Sequence, residues 1–376
     1  MLDLQEIRKE IDSVDRELVK LFEKRMELTT DVAKYKIETG KKVLDPEREQ
    51  QKLAAVAGLV SNEMNKRSIN EIFTQIISNS RKYQYMLLES MGQTLREDYV
   101  ALDELPVEGC RVVYQGVPGA YAYIAVKRFF GENVDNYNVK TWRDAMEAVK
   151  CGEADYAVLP IENSTAGIVS DVYDLLQEYN NFIVAETYVK VEHALLGIPG
   201  ATMGDIKKVY SHPQGLMQCR SFLNEHKEWQ TSEQINTAVS AKKVMEDGDK
   251  SQAAIASVEA AKLYGLSILQ EKINTEDNNT TRFVIISGKR AFLKDAGKVS
   301  ICFETEHTAG SLYDMLSHII YNGLNMTKIE SRPIEGKAWQ FRFFIDFMGN
   351  IDDASVMNAL RGIEEEAMNI KLLGNY

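Results

Sequence analysis

The chain has only 4 cysteines in 376 residues, and they form no CxxC pair. They lie far apart, at Cys110, Cys151, Cys219 and Cys302, so we expect reduced thiols and a cytoplasmic location. No apolar run approaches the length that spans a membrane. The charged, amphipathic start MLDLQEIRKEID is not that of a signal peptide. These absences argue against disulfide-stabilised, secreted and membrane-embedded classes of protein.

Histidine and positive charge are also scarce. The 5 histidines have no metal-ligand spacing, so we expect neither a metal ion nor another cofactor. With 44 Lys+Arg against 56 Asp+Glu the net charge is −12, which argues against nucleic acid and anionic membranes as partners. Residues 1–90 hold 16 charges of each sign, and the remainder holds 28 basic and 40 acidic residues. A neutral segment joined to an acidic one indicates separate modules.

An unbroken seam runs through the first 35 residues at alternating spacings of three and four, as in a packed helix. Its members are Leu4, Ile7, Ile11, Val14, Leu18, Leu21, Arg25, Leu28, Val32 and Tyr35. Arg25 is the charged exception, and the residues four before and four after it, Leu21 and Thr29, are not acidic. A buried guanidinium without a partner is costly, so we expect an acid from elsewhere in the fold, or a ligand, to meet it.

Three helices are expected in this N-terminal segment. The first covers residues 4–39 and ends at Gly40. Its length would be about 50 Å, more than the width of a 90-residue globule, so a second chain is expected to cover its seam. Asp45 and Pro46 are suited to be the N-cap and the first residue of a second helix. Ser68–Glu71 matches a capping box that would open the third.

Polar residues interrupt the apolar faces of these helices. The third helix has a stripe that turns polar at Ser80 and Gln84. On the first helix Arg25 and Lys36 project within about 20° of each other, whereas Arg8 projects about 100° away and could serve the site of a partner chain. The start of the second helix offers Asp45, Arg48 and Glu49.

Such groups in a helical core describe a pocket for a small polyanion. The alternative is that Arg25 pairs with Glu49 and binds nothing, and that Lys36 is a solvated surface residue.

The rest of the chain has a different pattern. From Arg111 onward short apolar runs alternate with helical stretches, which predicts an α/β domain over residues 110–288. Residues 91–109 lack periodicity and are expected to be a linker, with residues 289–297 as a second connection. Residues 298–376 have the order strand, helix, strand, strand, helix, strand, which suggests a ferredoxin-like βαββαβ unit.

Four polar loops in the α/β segment are candidate sites. Gly116–Tyr121 joins a strand to a helix but lacks the P-loop lysine and the GxGxxG pattern. Pro160–Gly167 follows a strand, which is a common ligand position. Ser211–Cys219 leads into a helix whose N–H groups could receive an anion. Asn278–Phe283 runs into the last strand. Each alone is more typical of a loop than of catalysis.

Residues 4–88 resemble the all-helical class of chorismate mutase, which forms an intertwined dimer. The matching motifs are IRKEID, FEKRMEL, VAKYK, LDPERE and IISNSRKYQ. The resemblance implies that the carboxylates of chorismate meet Arg25, Arg48 and the partner subunit's Arg8, and that Ser80 supports the ring carboxylate. The full set of implied substrate contacts is Arg8, Arg25, Lys36, Asp45, Arg48, Glu49, Ser80 and Gln84.

A Claisen rearrangement needs no nucleophile or general base. It needs the substrate chain folded over its ring, and donors aimed at the oxygen that gains charge as the C–O bond breaks. The resemblance implies that Lys36 and Gln84 meet this ether oxygen and that the surroundings of Asp45 and Glu49 meet the substrate hydroxyl. A protonated Glu49 would act near the ether oxygen, so we expect an acid-side limb in the mutase activity.

Residues 110–288 resemble prephenate dehydratase. The matching motifs are GVPGAY, ADYAVLPIENS, YSHPQGLMQC and NNTTRFVII. That family places its site in a cleft between two α/β lobes, similar in shape to a periplasmic binding protein. The implied substrate contacts are Glu162, Asn163, Ser164, Ser211, Gln218, Thr281 and Arg282.

Prephenate becomes phenylpyruvate by losing water and CO₂, and expelling hydroxide requires a proton donor near the ring hydroxyl. We expect Thr281 to be the critical polar group there, with Glu162 as the alternative acid. Arg282 either orients a carboxylate or is structural. Where the family often has serine after GAY, this chain has Ala122, then Tyr123. The lost hydroxyl leaves open a preference for arogenate, the amino analogue.

Residues 298–376 resemble an ACT domain, a regulatory unit that binds amino acids between paired copies. Its ESRP motif is intact at Glu330, Ser331, Arg332 and Pro333, and its GALV motif is replaced by Gly310, Ser311, Leu312 and Tyr313. The resemblance implies feedback inhibition by phenylalanine. The alternative is a dimerisation domain with a degraded ligand site.

Taken with these resemblances, the sequence predicts a multidomain, bifunctional enzyme of phenylalanine biosynthesis, present as a homodimer or a dimer of dimers. Three alternatives remain open. One catalytic module could be inactive, the dehydratase could prefer arogenate, or the chain could be a non-enzymatic amino-acid sensor.

Overall fold

The computed structural model describes residues 3–90 and 99–376, which form two compact units. In the first unit residues 3–90 are joined by Gly297–Leu372. The second consists of Tyr99–Ala296 together with Leu373–Tyr376. Residues 91–98, which belong to the predicted linker, lie outside the described residues.

The first unit begins with three helices, α1 (Leu4–Thr39), α2 (Pro46–Gly58) and α3 (Glu63–Ser90). The predicted bounds of α1 are confirmed, and Gly40 ends it in the left-handed region at φ 67°. The predicted start of α2 is also confirmed, since Asp45 Oδ1 accepts a hydrogen bond from the Arg48 N–H at 3.1 Å.

The predicted start of α3 at Ser68 is wrong. The helix begins at Glu63, because the side chain of Asn62 accepts a hydrogen bond from the Met64 N–H at 3.0 Å. Glu71 does not act in a capping box; its carboxylate lies 3.2 Å from the guanidinium of Arg67. Good helix formers before Ser68 therefore extend the helix beyond the motif.

The second unit alternates strands and helices. Its first half contains β1 (Val100–Leu102), β2 (Arg111–Gln115), α4 (Tyr121–Phe130), β3 (Asp135–Val139), α5 (Trp142–Lys150), β4 (Tyr156–Asn163), β5 (Gly167–Ile168), α6 (Ser170–Glu178) and β6 (Phe182–Lys190). Its second half contains β7 (Ala194–Gly197), β8 (Lys208–Ser211), α7 (Pro213–Gln218), α8 (Arg220–Glu225), β9 (Gln230–Glu233), α9 (Thr237–Asp247), β10 (Gln252–Ala256), α10 (Val258–Tyr264), β11 (Ser267–Gln270), β12 (Thr280–Ser287) and β13 (Ala291–Leu293).

These strands build two lobes within the second unit. The first lobe has the sheet order β6-β12-β4-β2-β3, with β5 paired to β4. The second lobe has the order β11-β7-β10-β8-β9. Each lobe buries its own apolar core, around Val112 and Phe283 in the first and around Leu196 and Ala254 in the second. The chain enters the second lobe after β6 and returns along β12, so both connections between the lobes lie beside one another in the sheet.

Both predicted connections contain a strand. β1 and β13 pair in parallel, with Val100 opposite Ala291. Three-residue strands such as these contain too few positions to produce a visible apolar period, so the sequence does not reveal them.

The first unit is completed by the C-terminal segment. It contains β14 (Lys298–Glu304), α11 (Ser311–Tyr321), β15 (Met326–Pro333), β16 (Phe341–Met348), α12 (Ala354–Glu366) and β17 (Asn369–Asn375). The predicted order of strands and helices is confirmed, with the sheet order β15-β16-β14-β17. Helix α12 packs against both α11 and α3, which joins this segment to the three N-terminal helices. None of the helices in the described ranges is long and apolar enough to cross a membrane.

Candidate functional site

Arg25 is half-buried on α1, where it contacts α3. Its guanidinium donates hydrogen bonds to Ser80 Oγ and, at 3.4 Å, to the carbonyl oxygen of Ile76. Burial lowers the pKa of Arg25. Among the residues that the structure describes, no carboxylate lies within 4.0 Å of this guanidinium. The alternative pairing with Glu49 is therefore not found, and the charge is one that an anionic ligand would balance.

Two further predicted residues lie in the same group of helices. Gln84 is buried on α3 and its Nε2 donates to the Ser80 carbonyl oxygen at 3.1 Å, while its Oε1 has no hydrogen-bond partner in the described part of the chain. Lys36 Nζ donates to the Val43 carbonyl oxygen at 2.6 Å. Burial lowers the pKa of Lys36, although nearby carboxylates, Glu49 among them, oppose this shift. Lys36 is thus not a freely solvated surface residue.

Glu49 is held by a residue that the sequence analysis missed. Arg81 Nη1 donates to Glu49 Oε2 at 2.6 Å. Arg81 follows Ser80 directly and so lies beside the apolar stripe of α3, where its sequence position suggests a surface charge. The acid-side limb of mutase activity stays a prediction.

The structure brings most of the predicted mutase residues together but not Arg8 and Arg48. Arg8 and Arg48 are exposed, and Asp45 is engaged in capping α2. Arg8 is seventeen residues from Arg25 on one straight helix, a separation of about 25 Å along its axis. We call the residues that do gather in one chain the helical cluster. It consists of Arg25, Lys36, Asp45, Glu49, Ser80 and Gln84.

A cavity of about 640 Å³ lies in the second unit and is lined by both lobes. Three predicted residues line it: Asn163 on β4, Thr281 on β12 and Gln218 on α7. Asn163 Nδ2 donates to Thr281 Oγ1 at 2.9 Å and to Asn279 Oδ1 at 2.8 Å, which uses both of its N–H groups. Thr281 accepts with its oxygen, so its O–H can donate towards a substrate.

Glu162 and Arg282 are not among the lining residues. They follow the alternation of their strands, in which Thr281 pairs with Asn163 and Arg282 with Glu162. Arg282 Nε donates to Glu186 at 2.7 Å and its Nη2 donates to the Tyr376 hydroxyl at 2.8 Å. These two side chains thus project from the face of the sheet opposite Asn163 and Thr281, and their contact with the substrate stays a prediction.

Ser164 and Ser211 are also absent from the lining. Ser211 is fully buried and its hydroxyl donates to the Ile255 carbonyl oxygen at 2.8 Å. The Ser164 hydroxyl donates to the Asn278 carbonyl oxygen at 2.9 Å and accepts from the Thr280 N–H at 3.0 Å. These hydroxyls join elements of the fold, and their contact with the substrate stays a prediction.

Tyr121 and His193 line the cavity and were not predicted as site residues. His193 Nε2 lies 2.9 Å from Gln218 Oε1, and its Nδ1 lies 3.1 Å from the Tyr121 hydroxyl. Burial lowers the pKa of His193, which favours the neutral ring. The GVPGAY motif, which ends at Tyr121, is the sequence signal for this residue.

The cavity has positive partial charges from helix N-termini and one acidic lining residue, Asp171. Four helices, α4, α6, α7 and α9, begin at its wall, and their N-cap residues Ala120, Val169, His212 and Asn236 line it. In α4 and α6 no side chain caps the first turn, which leaves N–H groups for a ligand, while the Val172 N–H of α6 donates to the Val169 carbonyl oxygen at 3.1 Å. Among the described lining residues none is lysine or arginine. An anion bound here would therefore be held by helix N-termini.

The two C-terminal motifs occupy different elements of the first unit. Gly310 precedes α11 with φ 90°, a conformation that favours glycine, and Tyr313 is exposed in the first turn. Glu330–Pro333 forms the second half of β15, at the edge of the sheet order. No group of three or more His, Cys, Asp or Glu that could hold a metal ion occurs among the described residues. All four thiols are free, and Cys151 is the exposed one.

Two families match separate parts of the chain. Residues 7–85 match chorismate mutase type II, and residues 112–291 match prephenate dehydratase. The bifunctional chorismate mutase/prephenate dehydratase of Escherichia coli K12 is 31% identical over 376 residues, which cover 98% of this chain and 95% of that protein.

Two solved structures are similar to the larger part of the chain. Prephenate dehydratase from Arthrobacter aurescens in complex with L-Phe is 30% identical with a TM-score of 0.66, and covers 71% of this chain and 89% of its own. GqqA, described as a quorum-quenching acylase, is 34% identical with a TM-score of 0.66, and covers 71% of this chain and 97% of its own. Because neighbours of one fold carry different names, the reaction has to be assigned from the site.

Proposed function

The chain belongs to the family of bifunctional chorismate mutase/prephenate dehydratases, and on this premise we propose where each of its two reactions takes place. It carries both activities, which convert chorismate to prephenate and prephenate to phenylpyruvate in L-phenylalanine biosynthesis. We assign the mutase reaction to the helical cluster in the first unit and the dehydratase reaction to the cavity in the second.

The observation that supports the mutase site is the half-buried Arg25, which has no carboxylate near it among the described residues. A carboxylate of chorismate would supply the missing negative charge, and Ser80 would share the contact. Lys36 Nζ and the Nε2 amide group of Gln84 would then donate to the ether oxygen as it gains charge. Catalysis would come from holding the folded substrate and from these donors.

The mutase site requires a second chain in this proposal. The seam of α1 is exposed in one chain, and Arg8 is too far along the helix to reach Arg25. The exposed apolar seam residues are Leu4, Ile11, Val14, Leu18, Leu21, Leu28, Val32 and Tyr35. Burying each of the larger ones would contribute about 1.5–3 kcal/mol, enough to hold an obligate homodimer.

Leu18→Glu is expected to shift the protein towards monomers and to lower mutase activity, because a charge in the seam opposes pairing and separates Arg25 from the partner subunit's Arg8. Sedimentation velocity and a chorismate assay on the same samples would measure both effects. Lys20→Glu, two residues away and off the seam, is the control. If Leu18→Glu stays dimeric with full mutase activity, the seam is not the interface.

The dehydratase site is supported by the hydroxyl of Thr281, which the Asn163 amide orients. Its O–H would donate to the leaving hydroxyl of prephenate, and aromatisation would drive the loss of CO₂. The uncapped starts of α4 and α6 would hold the carboxylates. Tyr121 and Gln218 would contact the substrate as cavity-lining residues.

Glu162 and Arg282 receive a structural role in this proposal. Arg282 ties β12 to Glu186 on β6 and to the C-terminal Tyr376. Its conformation supports Thr281, the preceding residue, without contact to prephenate. Reduced thiols are the basis on which we propose a cytoplasmic location.

The C-terminal segment, in this proposal, is a ferredoxin-like ACT domain that binds phenylalanine. Its element order and the glycine at the start of α11 support this, and the Arthrobacter aurescens protein was solved with L-Phe. β15 is an edge strand, which a second copy could cover, so that Gly310 of one copy and Glu330–Pro333 of the other would enclose the ligand.

Purified chain is expected to turn chorismate into phenylpyruvate, and added phenylalanine is expected to slow the second step. The mutase activity, the dehydratase activity and the inhibition by phenylalanine are measured by following chorismate loss and phenylpyruvate appearance, with and without phenylalanine. Chorismate loss without phenylpyruvate would indicate one inactive module. Phenylalanine binding in equilibrium dialysis without turnover would indicate a sensor, and no binding would overturn the regulatory proposal.

A further inference from the structure

Arg81 connects the mutase site to the C-terminal segment. While its Nη1 contacts Glu49, its Nε and Nη2 donate to the two carboxylate oxygens of Glu366, at 2.8 and 3.1 Å. Burial alone would lower the pKa of Arg81, but Glu366 and Glu49 outweigh it and raise the pKa. Burial would likewise raise the pKa of Glu366, yet His318 and Arg81 hold it at about 2. The guanidinium is thus fixed between two carboxylates from different segments.

Glu366 also contacts a residue of α11. It is the last residue of α12, and its Oε1 lies 3.2 Å from His318 Nε2 on α11. The side chains of Glu366 and His318 are almost entirely buried. His318 is not a residue of the helical cluster, so the Glu366 carboxylate reaches that cluster through Arg81.

Glu365, the residue before Glu366, also contacts the N-terminal segment. Glu365 Oε2 accepts from the Tyr85 hydroxyl at 3.2 Å and from the Leu44 N–H at 3.5 Å. Leu44 directly precedes Asp45 and follows Val43, whose carbonyl oxygen accepts from Lys36. The last turn of α12 therefore touches both the segment before α2 and, through Arg81, the first turn of α2.

We propose that Glu366, together with Glu365, is a positioning residue for the mutase reaction. The two carboxylates hold Arg81 and the start of α2 in place, so that Glu49 faces chorismate. This inference rests on the assignment of chorismate to the helical cluster. An arginine with its forked donors can bridge two carboxylates at fixed geometry, and a shift of about 1 Å at a site residue is enough to lower turnover.

Glu366→Gln in the full-length chain tests this proposal. It keeps the size of the side chain and removes the charge that fixes Arg81, so mutase kcat is expected to fall by about tenfold or more with a smaller change in KM. Glu365→Gln is expected to act in the same direction. Glu364→Gln is the matched control, because it makes the same change at an exposed neighbour on the same helix and should leave mutase activity unchanged.

Two measurements separate positioning from damage to the fold. Phenylpyruvate formation from added prephenate, measured on the same Glu366→Gln sample, should be unchanged. In a double-mutant cycle, Glu366→Gln should add no further loss to Glu49→Ala, because its effect acts through Glu49.

Full mutase turnover in Glu366→Gln would overturn the inference. So would a loss of turnover in Glu364→Gln equal to that in Glu366→Gln. The inference would also fail if Glu366→Gln lowered turnover as much in the Glu49→Ala background as in the unmodified chain. Full turnover in Glu49→Ala would have a different meaning, since it would remove Glu49 from the proposed site as well.

Discussion

Replacing Arg25 with alanine is expected to abolish mutase turnover while the protein still makes phenylpyruvate from added prephenate. The guanidinium is half-buried beside Ser80 and has no carboxylate partner among the described residues. Losing a buried charged contact to a substrate carboxylate costs about 4 kcal/mol, or about a thousandfold in kcat/KM. The second reaction is expected to continue because its cavity belongs to the second unit.

The stability of the Arg25→Ala variant distinguishes a site residue from a structural one. Burial lowers the pKa of Arg25, so folding disfavours its charged form and removing it should not lower the thermal midpoint. If Arg25 instead stabilised the fold by pairing with carboxylates, its removal would lower the thermal midpoint.

Arg25→Lys and Arg16→Ala complete the test of Arg25. Lysine keeps the positive charge but lacks the planar guanidinium with its paired donors, so partial mutase activity is expected. Arg16→Ala is the control, since Arg16 is exposed on the same helix and contacts only the Asp12 carbonyl oxygen among the described residues. Mutase rates in Arg25→Ala equal to those of Arg16→Ala would remove Arg25 from the site.

The long helices were predictable because their signals are local and repeated. The seam of α1 gave both its bounds and the position of Arg25, since a charge within a regular apolar spacing is visible in one dimension. The start of α3 was not predictable from Ser68–Glu71, because a capping motif can also occur inside a helix when another residue caps it earlier.

Partners that come from distant segments were not predictable. Glu49 is paired with Arg81 of α3, and Arg81 with Glu366, almost three hundred residues further along. No spacing rule relates these positions. Likewise, β1 and β13 are too short to be recognised singly, and their pairing depends on contacts made only after folding.

In the dehydratase cavity, motifs indicated the right loops but not the direction of each side chain. Thr281 and Arg282 are adjacent in one motif, yet strand alternation places only Thr281 on the cavity. The sequence indicated the N-terminus of α7, after Ser211, but not those of α4 and α6, because a backbone donor without a capping side chain leaves no mark on residue type.

Replacing Thr281 with alanine is expected to lower phenylpyruvate formation by about a hundredfold to a thousandfold while mutase activity is unchanged, because the departing hydroxyl loses its hydrogen-bond donor. The variant should fold, since it leaves only one Asn163 N–H without its acceptor, at a cost of about 1 kcal/mol. Prephenate consumption and chorismate consumption measured on one sample would give both rates.

Three companion variants decide which group acts on the leaving hydroxyl. Thr281→Ser keeps the hydroxyl and should retain most activity, whereas Thr280→Ala removes the neighbouring threonine, which is not among the residues that line the cavity, and should have little effect. Glu162→Gln should also remain active, because Glu162 projects from the other face of the sheet beside Arg282. If Glu162→Gln loses activity as severely as Thr281→Ala, the carboxyl group is the proton donor after all, and β4 must rearrange to bring it to prephenate.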